Sequence, residues 1–157
     1  MEVKKSTRHS RITGDFAEGL ILYWLSKYGF ECARVDHTGM DLIARNPHNK
    51  ELMGISVKSR SRNPGTEHTY LKIDRDNIDK LKEACAAFGC TPYFAVVVDA
   101  AETIRCYIMR MEHLIAIGGE GRDLGIKMRP RNIEQYCADP EIICFEFQSM
   151  TTRWWPH

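Results

Sequence analysis

The run Tyr93-Phe94-Ala95-Val96-Val97-Val98 constrains the fold more than any other part of this chain. It is continuously apolar, rich in β-branched and aromatic residues, and shows no alternation, so neither of its faces is suited to water. It predicts a strand at the centre of a mixed or parallel sheet, with further layers covering both sides. A chain of 157 residues supports one core of that kind, and a single domain over 1–157 is expected. Hydrophobic residues make up 43% and charged residues 27%. No apolar run approaches the ~20 residues of a membrane span, so a soluble globular protein with no membrane partner is expected. The polar start Met1-Glu2-Val3-Lys4-Lys5 lacks the apolar segment of a secretory signal, which predicts a cytoplasmic address.

Apolar spacing places the other elements around this strand. Ala17, Leu20, Ile21, Trp24, Leu25 and Tyr28 recur at three- and four-residue intervals and Gly29 ends them, predicting an amphipathic helix over 15–28. Residues 30–36, 40–45 and 51–60 read as strands, with a turn at His37-Thr38-Gly39 and a second at Asn46-Pro47-His48-Asn49-Lys50. A second helix is expected over 74–88, capped by Asp74 or Asp76, with Ile78, Leu81, Cys85 and Phe88 inward and Gly89 closing it. Residues 103–109 continue the sheet. The order helix-strand-strand-strand-helix-strand-strand predicts an α/β fold, a mixed sheet flanked by helices. Residues 110–157 then form a C-terminal extension, with a short helix over 111–117, a basic stretch over 127–131 and a strand over 142–147.

The net charge of +1 conceals an uneven distribution. Residues 1–62 carry 11 Lys and Arg against 7 Asp and Glu, whereas residues 63–157 carry 11 against 14. The first part is therefore the one suited to phosphate. Residues 1–12, with Lys4, Lys5, Arg8 and Arg11 and almost no apolar content, are expected to form a mobile basic arm, solvated or in contact with phosphate. The six cysteines include no C-x-x-C spacing and lie mostly in apolar segments, which predicts reduced, largely buried thiols.

Strand geometry gathers a candidate site. If residues 47–50 form the hairpin loop, Asn46 faces Glu51 and, counting back along both strands, Asp41 faces Ser56. Period-two alternation then puts Asp41, Ser56, Lys58 and Arg60 on one face, and Leu42, Ala44, Ile55 and Val57 on the other. An acid and a lysine this close can be a plain ion pair. Glu18 lies at the margin of the first helix's apolar stripe, either leaning over its edge or closing a capping box with Asp15. Two carboxylates converging on one point attract Mg²⁺ or Mn²⁺, and such an ion with an adjacent lysine suits phosphodiester hydrolysis.

Glu18, Gly39-Met40-Asp41-Leu42-Ile43-Ala44 and Ile55-Ser56-Val57-Lys58-Ser59-Arg60, with the element order over 13–109, resemble the PD-(D/E)xK nuclease superfamily, and within it archaeal-type Holliday junction resolvases. The resemblance implies a restriction-endonuclease-like fold and a nuclease-like core over 13–109. It also implies catalytic roles for Glu18, Asp41, Ser56 and Lys58, and metal binding by Glu18, Asp41 and the Val57 carbonyl. The chain departs from the pattern at Ser56, where the family has an acid; Glu51 or Glu67 could substitute for it, or catalysis could be lost.

The function expected is a metal-dependent endonuclease acting on DNA, with branched DNA among its substrates and Lys4, Lys5, Arg8, Arg11, Arg60 and Arg62 on backbone phosphates. The alternative is a catalytically impaired nuclease-fold protein that binds DNA or a protein partner without cleavage. A third reading makes Trp154-Trp155 and Met109-Arg110-Met111 a docking surface, a homodimer contact included.

Overall fold

The computed structural model describes residues 4–155. Twelve elements follow in order: α1 (Ser10–Lys27), β1 (Glu31–His37), β2 (Met40–Arg45), β3 (Leu52–Ser61), β4 (Leu71–Asp74), α2 (Arg75–Phe88), β5 (Thr91–Ala100), β6 (Thr103–Arg110), α3 (Met111–Gly118), β7 (Asp123–Ile126), α4 (Pro130–Ala138) and β8 (Ile143–Gln148). Six strands form one mixed sheet in the order β1-β2-β3-β5-β6-β8, and β4 and β7 form a separate pair. The α/β class and the helix-flanked mixed sheet are as expected.

The apolar run is the centre of this sheet, paired in parallel with β3 and antiparallel with β6. Its alternation divides the core in two. Phe94, Val96 and Val98 join α2, β4, β7 and α3 on one face, whereas Ala95 and Val97 join Ala17, Ile21 and Leu25 of α1 on the other. A buried side chain of this kind contributes about 1.5–3 kcal/mol relative to exposure, so β5 anchors both layers. The hairpin adopts the predicted register, with Leu42 opposite Ile55 and Arg45 opposite Leu52.

Several expectations are corrected. Helix α1 begins five residues before the predicted start, because no residue before Ala17 is buried and none leaves a periodic signal; Ile12 is 64% exposed. Asp15 is therefore interior to the helix, which removes the capping box as an explanation of Glu18. The basic segment is not a free arm over its described length. The Lys5 ammonium pairs with the Asp99 carboxylate at 2.7 Å and donates to the Asp99 carbonyl, and the Lys5 amide donates to the Asn63 side chain.

Cysteines 137 and 144 are not free thiols but are joined, tying α4 to β8, while Cys32, Cys85, Cys90 and Cys106 remain unpaired. Met109 and Met111 are core residues, so of the expected docking surface Arg110, which is paired with Glu51, and Trp154 and Trp155 are exposed. The elements β4, β7 and α4 gave too few apolar residues in sequence for a period to register; β4 alternates over four residues only.

Candidate active site

Glu18, Asp41, Ser56, Val57 and Lys58 come from one helix and two adjacent strands. The β2–β3 ladder ends at Leu42 and Ile55. Beyond that point the Asp41 carboxylate takes over the Val57 amide, accepting its hydrogen at 2.6 Å through Oδ2. The Ser56 hydroxyl donates to the same oxygen at 3.4 Å. Asp41 Oδ1 has no protein hydrogen bond among the described residues. The amide and carbonyl of one residue leave an extended strand on the same edge, so the Val57 carbonyl also lies on the Asp41 side.

Electrostatics links the three charged groups through Asp41. Burial and then the negative charge of Asp41 raise the Glu18 carboxyl above its ordinary range, with Arg34 opposing them. Burial lowers the Lys58 ammonium below its ordinary range, and Arg60 and Lys80 add to that against Asp41 and Asp74. Asp41 thus acts on both partners. Lys58 makes no ion pair within 4.0 Å among the described residues, which removes the plain Asp41–Lys58 salt bridge. Glu18 instead has a long contact to Arg34 of β1, at 3.8 Å.

This donor set fits a hard divalent cation. Two carboxylates, Asp41 raising the proton affinity of Glu18 and keeping one oxygen unengaged by protein among the described residues, and a carbonyl on the same side supply the oxygen ligands such an ion takes. Ser56 is 2% exposed and uncharged, so it adds no negative charge to the two carboxylates.

The suggested substitutes do not reach it. Glu51 accepts from the Tyr93 hydroxyl and from Arg110, at 3.0 and 2.6 Å. Glu67 lines a separate cleft with Lys5, Arg62 and Asp99. Asp36 also raises the Glu18 carboxyl, after Asp41 and Asp15. It sits in an irregularity of β1 between Arg34 and His37, at φ +42°. Such bulges re-aim side chains, and Asp36 followed by His37-Thr38-Gly39 is the signal that could have marked one.

The predicted phosphate contacts divide into two groups. Lys4, Arg8, Arg11 and Arg60 are exposed. Lys5 is held by Asp99, and Arg62 is directed inward to the carbonyls of Thr69 and Tyr70.

Two other clusters lie elsewhere. An apolar cavity of about 580 Å³, lined by Trp24, Tyr28, Tyr93 and Phe145 among others, contains none of the site residues. At its rim His113 is held between Asp139 and Glu141, at 2.8 and 3.1 Å, a group with metal-ligand chemistry and no part in the predicted site.

Comparison with solved structures bears on the fold. Residues covering 73% of the chain superpose on 83% of Hjc, a Holliday junction resolvase from Archaeoglobus fulgidus, with a TM-score of 0.55 and 23% sequence identity. The chain has a resolvase's fold. A bacterial homing endonuclease, I-Ssp6803I, matches over 80% of the chain and 87% of its own, with a TM-score of 0.49 and 13% identity. No protein-family model and no curated protein sequence matches the chain.

Proposed function

We propose that this protein is a divalent-metal-dependent endonuclease that hydrolyses DNA phosphodiesters, with branched DNA as a substrate. The observation that carries this reading is Asp41, which acts electrostatically on both Glu18 and Lys58 at the point where the hairpin opens, in a fold shared with a Holliday junction resolvase. Glu18, Asp41 and the Val57 carbonyl would hold Mg²⁺ or Mn²⁺. The ion would supply Lewis-acid polarisation of the phosphate and a nucleophile at neutral pH.

The remaining chemistry belongs to the chain itself. Lys58, whose burial weakens its hold on a proton, orients the attacking water and offsets charge that develops on the phosphate oxygens. Ser56 donates to Asp41 Oδ2 and, with the Val57 amide, fixes the rotation of that carboxylate. Lys4, Arg8, Arg11 and Arg60 hold backbone phosphates and set register rather than sequence.

Binding without cleavage is the second reading, favoured by the missing charge at Ser56. Nicking of a supercoiled plasmid in Mn²⁺ distinguishes the two. Asp41→Asn and Lys58→Ala are each expected to abolish nicking while salt-sensitive DNA binding persists. Equal nicking by both variants and the parent protein would remove the catalytic assignment from these residues.

A further inference from the structure

We infer that the face formed by β4, β7 and the start of α4 seats an unpaired DNA strand beside the candidate active site. The inference rests on the nuclease reading for its substrate and goes beyond it in naming a second surface, outside the elements that carry Glu18, Asp41 and Lys58.

The surface follows from local alternation. Ile126 and Met128 are buried, so Lys127 and Arg129 between and beyond them are turned outward, and Arg131 follows in the first turn of α4. The backbone carrying them is held from two sides: the Tyr136 hydroxyl donates to the Lys127 carbonyl at 2.9 Å, and His68 Nδ1 lies 3.1 Å from the Met128 carbonyl. The three cations line a cleft of about 700 Å³ together with Asn132, Gln135 and Tyr70, and no carboxylate is among its lining residues. Among the described residues none of the three is paired with an acid. Lys5, Lys72, Arg105 and Arg110, by contrast, all are.

Tyr70 decides the kind of strand. It is 57% exposed, and its ring lies so close to Gly125 that a Cβ there would touch it at 3.4 Å. Cations along a cleft beside an exposed aromatic ring are the arrangement that takes single-stranded nucleic acid, with phosphates on the cations and a base on the ring. A base paired within a duplex is stacked on its neighbours and cannot reach such a ring.

The surface is also coupled to the site. Arg60 donates to the Lys72 carbonyl at 3.2 Å, and Arg62 donates to the Thr69 and Tyr70 carbonyls at 3.5 and 3.3 Å. The strand that carries Lys58 thereby holds the segment that carries Tyr70.

Fluorescence anisotropy in EDTA, where no cleavage occurs, tests this with a blunt duplex and with the same duplex extended by a short oligothymidine tail. The parent protein is expected to prefer the tailed probe by about tenfold. The combined variant Lys127→Ala, Arg129→Ala, Arg131→Ala is expected to bind both probes alike, with its salt dependence on the tailed probe reduced by about 2 in log–log slope. Tyr70→Leu is expected to lose part of the preference with the slope unchanged. A tail preference that survives the triple substitution overturns the inference, as does an equal loss on both probes, which would assign the surface to duplex backbone. A parent protein that binds neither probe overturns the nuclease reading and this one with it.

Discussion

At Glu18 two demands conflict. A carboxylate held partly out of water beside Asp41 disfavours its own charge, yet that same arrangement is what a cation requires. Because the folded-state proton affinity is raised, the folded protein binds more protons than the unfolded chain, and stability falls as pH rises through the Glu18 range. Glu18→Gln is therefore expected to raise the metal-free melting midpoint at neutral pH by about 1–3 °C, with no gain once the pH is low enough to protonate the acid in both states. The same variant should lose nicking. Calorimetric scans at neutral and acidic pH without metal, beside a plasmid assay, check both halves. Ser56 poses the reverse problem. Ser56→Glu places an acid at a position 2% exposed, and is expected to lower stability without metal while tightening Mn²⁺ binding by titration calorimetry. Unchanged metal affinity would show that this hydroxyl does not face the ion.

At the level of elements, the site depends on how closely α2 approaches the β1–β2 turn. Gly39 adopts φ +87°, in the left-handed region, and a Cβ there would collide with the Lys80 carbonyl of α2. Gly39→Ala thus meets both a forbidden backbone and a rigid neighbour. It is expected to destabilise the protein by about 2–4 kcal/mol in urea unfolding, and to displace Asp41, two residues away. The hairpin register was legible in sequence because a loop bounded by Asn46 and Glu51 leaves one pairing that buries Leu42, Ala44 and Ile55 together. The start of α1 was not, because a helical turn that buries no side chain carries no apolar stripe. Strands of four residues escaped for a related reason: two apolar positions do not establish a period.

For the whole molecule, the join between α4 and β8 is a contact that the cysteine spacing did not disclose. Cys137 and Cys144 stand 5.2 Å apart at Cα, within ordinary bridging distance. Thiol titration of the unfolded, unreduced protein is expected to find four reactive groups, and six after reduction. Reduction is expected to lower the unfolding free energy by about 2 kcal/mol, the loop-closure scale for so short a loop, without changing nicking, since neither element of the pair carries Glu18, Asp41 or Lys58. None of the described helices is long and apolar enough to cross a membrane.

What the amino-acid order determined by itself is whatever is recorded within an element or between neighbours in the chain. The unbroken apolar run of β5 specified a central strand, and the length of one loop set Asp41 opposite Ser56, two residues before Lys58. Folding in three dimensions decided the rest. It brought Glu18 into the field of Asp41, and turned Lys5 and Arg62 inward to Asp99 and to the Thr69 and Tyr70 carbonyls. It also raised Lys127, Arg129 and Arg131 beside Tyr70. Periodicity reports which face of an element is buried, because burial acts on every residue of that face. It carries no record of which distant element does the burying, and the partners of a charged side chain are set by that packing alone.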